Sequence, residues 1–120
     1  FMARSRSREE EIRRGVEALK SALKWVTEDE AAQHSSGAGY IREFLRALAS
    51  GYNGKCNIHA LMCLLDEKRS MWVRDIFVGA MRCRHPNDML MAAGFSGDFP
   101  DQRALDLIND TDPEFGATIS

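Results

Sequence analysis

The sequence predicts an all-α protein, a single compact bundle of five or six helices with the fourth at its centre. Three observations lead there. Apolar residues recur at spacings of three and four in several segments, the mark of a helix with one buried face. The stretch from Tyr40 to Cys83 is denser in apolar residues than one exposed helix face needs. No segment alternates apolar and polar residues with the period of two that a half-buried strand requires.

The first helix begins at Ser5 or Ser7, either of which can cap it, with Glu9, Glu10 and Glu11 in its first turns. Carboxylates there meet the positive end of the helix dipole. Ile12, Val16, Leu19, Leu23 and Val26 form one narrow apolar stripe, and Trp25 lies beside it. A stripe this narrow packs on the rest of the domain or on a second copy, so Ile12, Val16, Leu19 and Leu23 are a candidate homodimer seam. Residues 27–39 break the pattern with the charge run Glu28-Asp29-Glu30 and a polar loop. Ser36 is the expected cap of the second helix, about Ala38 to Ser50, whose inner face carries Tyr40, Ile41, Phe44, Leu45 and Leu48.

Gly51-Tyr52-Asn53-Gly54 is turn chemistry. Asn57 can cap a third helix, Ile58 to Leu65, and Asp66 a fourth that runs to about Arg84. The inner arc expected of that fourth helix takes Trp72, Val73, Ile76, Phe77, Ala80 and Cys83, a width suited to the middle of a bundle. Pro86 forces a break. A short helix from Asn87 or Asp88 to Ala93 closes on Gly94 in a left-handed conformation. Phe95 and Phe99 are expected to anchor the loop that follows. Asp101 is the expected cap of a last helix with Ala104, Leu105, Leu107 and Ile108 as its apolar members. The domain is thus expected to span residues 2–110, with 111–120 a frayed tail.

Composition bounds the function classes. The chain has 120 residues, 44% apolar and 28% charged, enough for one globular core. Phe1 stands before Met2 and is set aside as extraneous to the native start. The charged stretch Ala3–Arg14 is unlike a signal peptide, and no window reaches the roughly 20 apolar residues of a membrane span. A cytoplasmic protein is therefore expected. The net charge of −2 conceals a segregation: residues 1–27 carry +3, 28–50 carry −2, 51–85 carry +3 and 86–120 carry −6.

Three cysteines without an export signal read as reduced thiols. Cys56, His59 and Cys63, with Cys83 and His85, are the one metal-like set. They lack the paired spacing of a zinc site, Asn57 as a cap puts Cys56 outside its helix, and Cys63 and Cys83 are expected on core faces, so no metal or cofactor is expected. Gly37 and Gly39 lack the third glycine and preceding strand of a phosphate loop. His34 sits beside a polar loop, where a solvated role is expected. No residue set has the spacing of a catalytic centre, and a non-enzymatic protein is expected.

Two surfaces remain. Asp98, Asp101, Asp106 and Asp110, followed by Asp112, can dock on a basic protein surface. Lys68, Arg69, Arg74, Arg82 and Arg84 can contact phosphates, which would make the chain a nucleic-acid-binding regulator. A helix that buries most of its circumference has little left to read a groove, and the overall acidity favours a helix laced with Arg–Asp and Arg–Glu pairs over phosphate contact.

Ser36-Gly37-Ala38-Gly39-Tyr40-Ile41-Arg42-Glu43-Phe44-Leu45, Tyr52-Asn53-Gly54 and the Leu64-Leu65-Asp66 junction give residues 36–95 a general pattern. By that pattern the chain resembles a family of small helical proteins of unknown function carried on bacterial phages, plasmids and integrative elements. The resemblance implies a setting in which small proteins bind and modulate a host protein complex, anti-CRISPR and other counter-defence proteins among them. It assigns no functional residue.

Overall fold

A computed structural model describes residues 7–50, 55–83, 85–95 and 97–112. Within them the chain is all-α, with no strand. It forms seven helices: α1 (Arg8–Glu28), α2 (Glu30–Gln33), α3 (Ser36–Ala49), α4 (Ile58–Cys63), α5 (Glu67–Arg82), α6 (Pro86–Ala92) and α7 (Pro100–Asp110). The count exceeds the expected five or six because the charge run after α1 folds into one extra turn, α2.

Local capping chemistry explains most boundaries. The Ser7 hydroxyl accepts from the Glu10 amide at 3.1 Å and starts α1. Asp29 serves two helices: its amide donates to the Trp25 carbonyl at the end of α1, and its carboxylate accepts from the Ala32 amide at the start of α2. Ser35, not the expected Ser36, caps α3, accepting from the Ala38 amide while donating to the Ala32 carbonyl. Asn57 caps α4 and Asp66 caps α5 as expected. At the end of α6, Phe95 donates to the Leu90 carbonyl and Gly94 to that of Met91, with Gly94 at φ 118°: the glycine-terminated helix end the sequence indicates. The last helix departs from expectation. Its cap is Phe99, whose side chain makes no capping bond, and Asp101 lies inside the first turn.

The helix expected at the centre is not the one found there. α3 is the most enclosed, burying Ala38, Ile41, Arg42, Phe44, Leu45, Ala47, Leu48 and Ala49 against α1, α2, α4, α6 and α7. The helix expected fourth, now α5, fully buries only Ile76 and Gly79; Trp72, Val73, Ala80 and Cys83 are half-covered and Phe77 is exposed. It lies on the outside of α1. The first stripe is an internal contact: Val16, Leu19 and Leu23 are buried within the chain and Ile12 packs beside them, so they are not available as a homodimer seam.

Two glycines set how closely α1 and α5 approach. A Cβ on Gly15 would stand 2.9 Å from the Asp75 carbonyl oxygen and 3.0 Å from the Gly79 Cα. One on Gly79 would stand 3.0 Å from the Gly15 Cα and 3.1 Å from the Glu11 carbonyl oxygen. Backbone meets backbone here, and Met89 of α6 closes the contact from the side. Both ends of the pair are tied by side chains. The Arg8 guanidinium donates to the Arg82 carbonyl, where the negative end of α5 favours a cation, and Arg82 pairs with Glu11 at 2.7 Å. At the other end Trp25 and Trp72 meet edge to face at 5.9 Å, and the Arg69 guanidinium lies over both rings.

Candidate functional site

The expected acidic surface is carried by α7 and the turn before it. Ala104 and Ile108 bury the inner face of α7, which packs on α1, α3 and α6. A helical period of 3.6 then sends Gln102, Arg103, Asp106 and Asp110 outward, and all four are exposed. Asp98 is exposed just before the helix, and Asp101 is half-covered on its flank. So Asp98, Asp106 and Asp110 share the outer side, while Asp101 stands apart. Asp106 accepts from the Gln102 amide at 2.8 Å. Asp112 is withdrawn from the surface: Arg46 of α3 donates to it and, at 2.8 Å, to Asn109. That clamp also holds the first residues of the expected frayed tail, whose remainder, 113–120, lies outside the described residues.

Amid these carboxylates stands Phe99, which the sequence suggested as a loop anchor. Phe95 does pack against the core. Phe99 is 74% exposed and holds φ 57° and ψ 56°. That left-handed conformation costs a residue with a bulky side chain about 1–2 kcal/mol relative to helical geometry. Leu107, expected inside, is also exposed. α7 and its cap thus expose two apolar side chains among the acids.

The basic set is not assembled. Lys68 and Arg69 lie at the start of α5 and are drawn onto the tryptophans, with Arg69 also bonded to Asp66. Arg82 is 13 residues further along, roughly 20 Å at helical rise, and is paired with Glu11. Arg74 lies between them and is exposed. Arg84 lies outside the described residues.

Cysteine and histidine placement follows packing and capping. Cys56 and Cys83 are half-covered, and burial pushes both thiols up from their ordinary value, with Glu43 adding to the shift at Cys56 and Asp88 at Cys83. That is the reverse of what activates a thiol nucleophile. Cys63, expected on a core face, is exposed. His85 caps α6, its Nδ1 accepting from the Asn87 amide. Among the described residues no three His, Cys, Asp or Glu side chains converge as an ion site.

Two cavities flank α3. A polar one of about 510 Å³ opens at its amino-terminal half between Arg42, Glu43, Arg46 and Asp112. Arg42 is 3% exposed, and its guanidinium donates to the Val26 carbonyl at 3.2 Å. Val26 lies in the last turn of α1, where carbonyls lack helical partners and the dipole attracts a cation. Nothing in the residue pattern signals this, since Arg42 reads as a polar position between apolar ones. An apolar cavity of about 340 Å³ opens between α3 and α5, walled by Phe44, Leu48, Cys56, Phe77, Ala80 and Met81 among others. Among the described residues no helix is long and apolar enough to cross a membrane.

No protein-family model matches the sequence, and no curated protein or solved structure matches the chain.

Proposed function

We propose that the protein is a non-catalytic binding protein that modulates or inhibits a host protein complex by covering part of its surface, and that the outer side of α7 makes the contact. The observation that carries this is Phe99. Its ring is largely in water, so it adds little to the core, while its backbone conformation costs stability. A bulky residue kept under those terms is better accounted for by contact with something outside the chain. The carboxylates of Asp98, Asp106 and Asp110 favour a basic partner, and an exposed aromatic side chain is a common anchor of protein interfaces. The resemblance to mobile-element proteins supplies the setting, counter-defence of the anti-CRISPR kind.

The test is capture from a bacterial host lysate on the immobilised chain. Wild type is compared with Phe99→Gly, with Asp98→Lys/Asp106→Lys, and with Glu17→Lys on the exposed face of α1. A protein held by wild type and by the Glu17 variant but released by both α7 variants supports the reading. Equal retention by all four chains refutes it.

A further inference from the structure

We propose that a second copy of this chain occupies the apolar cavity between α3 and α5, inserting its Phe99. The cavity is large enough, since about 340 Å³ exceeds the roughly 150 Å³ that accepts benzene in an engineered protein core. Its lip is unfinished: Phe77 is 54% and Met81 73% exposed, an apolar rim that water covers poorly. Methionine suits such a rim because its side chain adjusts to what enters. The knob is on the same molecule, yet it does not fill its own cavity, because Phe99 stands in solvent and α7 packs on α1, α3 and α6.

Charge selects the pairing. On the side of the knob lie exposed Asp98 and Asp106, with Arg103 the opposing charge. Beside the lining residues in sequence stand exposed Lys55, next to Cys56, and exposed Arg74, one turn before Phe77, with Glu43 the opposing charge acting on Cys56. A net negative knob meets a net positive rim, whereas cavity facing cavity would set like charges together. The contact is therefore knob into hole. Each copy offers one of each, so two copies can pair reciprocally about a two-fold axis, or several can link into a ring or chain. This inference shares α7 with the function proposed above, but its test contains no partner, so either can fail alone.

The experiment is sedimentation of the full chain at low salt, from micromolar to millimolar concentration. Wild type should gain mass with concentration, to two copies or more. Phe99→Gly, which lacks the knob, and Met81→Glu, which spoils the hole, should each self-associate at least tenfold more weakly, with unchanged helical circular dichroism. Mixed in equal amounts, the two variants retain one good knob and one good hole between them, and should form a complex of two chains and no larger. Wild type that stays monomeric at millimolar concentration overturns the proposal. So does a mixture that stays monomeric, or a Phe99→Gly chain that assembles like wild type.

Discussion

Replacing Gly15 by alanine tests the backbone contact on which α1 and α5 are joined. The new methyl would lie 2.9 Å from the Asp75 carbonyl oxygen, 3.0 Å from the Gly79 Cα and 3.1 Å from the Met89 Cε. Carbon atoms pack at about 3.5–4.0 Å, so the helices must part by some tenths of an ångström. Met89 can yield; the two backbone atoms can yield only if α5 moves. Overpacking of this kind costs about 1–3 kcal/mol. Alanine returns about 1 kcal/mol through its better helix propensity, which leaves a net loss of up to about 2 kcal/mol. Gly39 provides the control, because it lies in α3 and a Cβ there meets nothing within 4 Å. Gly39→Ala should gain about 0.5–1 kcal/mol. Urea unfolding followed by circular dichroism reads both. Opposite signs are expected, with Gly79→Ala siding with Gly15→Ala. If Gly15→Ala stabilises the chain as much as Gly39→Ala does, α1 and α5 do not touch backbone to backbone.

Arg42→Met should cost about 1.5–3 kcal/mol in the same assay, since it removes a buried charged bond to the end of α1, and Arg42→Lys should not rescue it, because a single ammonium cannot reproduce the guanidinium's reach. The Arg13 and Arg14 guanidinium groups hold the Glu10 carboxyl at about 2, below its ordinary 4.5. A depressed folded value means that the brace is fully present above the ordinary value and is lost as pH falls through about 2. A carboxyl-detected NMR titration should find Glu10 still ionised at pH 3, and a midpoint near 4.5 would contradict the bonding seen. Alkylation should reach exposed Cys63 first, ahead of Cys56 and Cys83, whose thiols burial pushes up; mass spectrometry of partly labelled protein checks the order.

What could be read from the sequence was what neighbouring residues decide among themselves. Ser7, Asn57 and Asp66 cap helices with bonds that span three residues, and Gly94 ends one within a single turn. The stripe of α1 was likewise visible, though whether it faced the chain or a second copy was not. Packing partners distant in sequence were hidden. Phe77 and Met81 have the spacing of a buried face, but hydrophobicity cannot show that none of the described helices comes to cover them. Gly15 and Gly79 acquire meaning only when α1 and α5 meet. Arg42 looked like a break in an apolar face because its acceptor, the Val26 carbonyl, is 16 residues away. Of the site, the acids of α7 were legible from charge alone. Phe99 was not, since its spacing suggested an anchor and only its backbone conformation marks it as held outward.

That outward phenylalanine bears the central claim, that this molecule keeps a side chain for contact at the expense of its own fold. Melting the Phe99→Gly chain is the most direct test. Glycine relieves about 1–2 kcal/mol of left-handed strain and gives back about 0.5–1 kcal/mol in unfolded-chain entropy. The account therefore predicts a melting temperature equal to wild type or a few degrees higher. Measured at high dilution, where association of copies adds nothing to stability, a clear fall in melting temperature would contradict it, by showing that the ring belongs to the core.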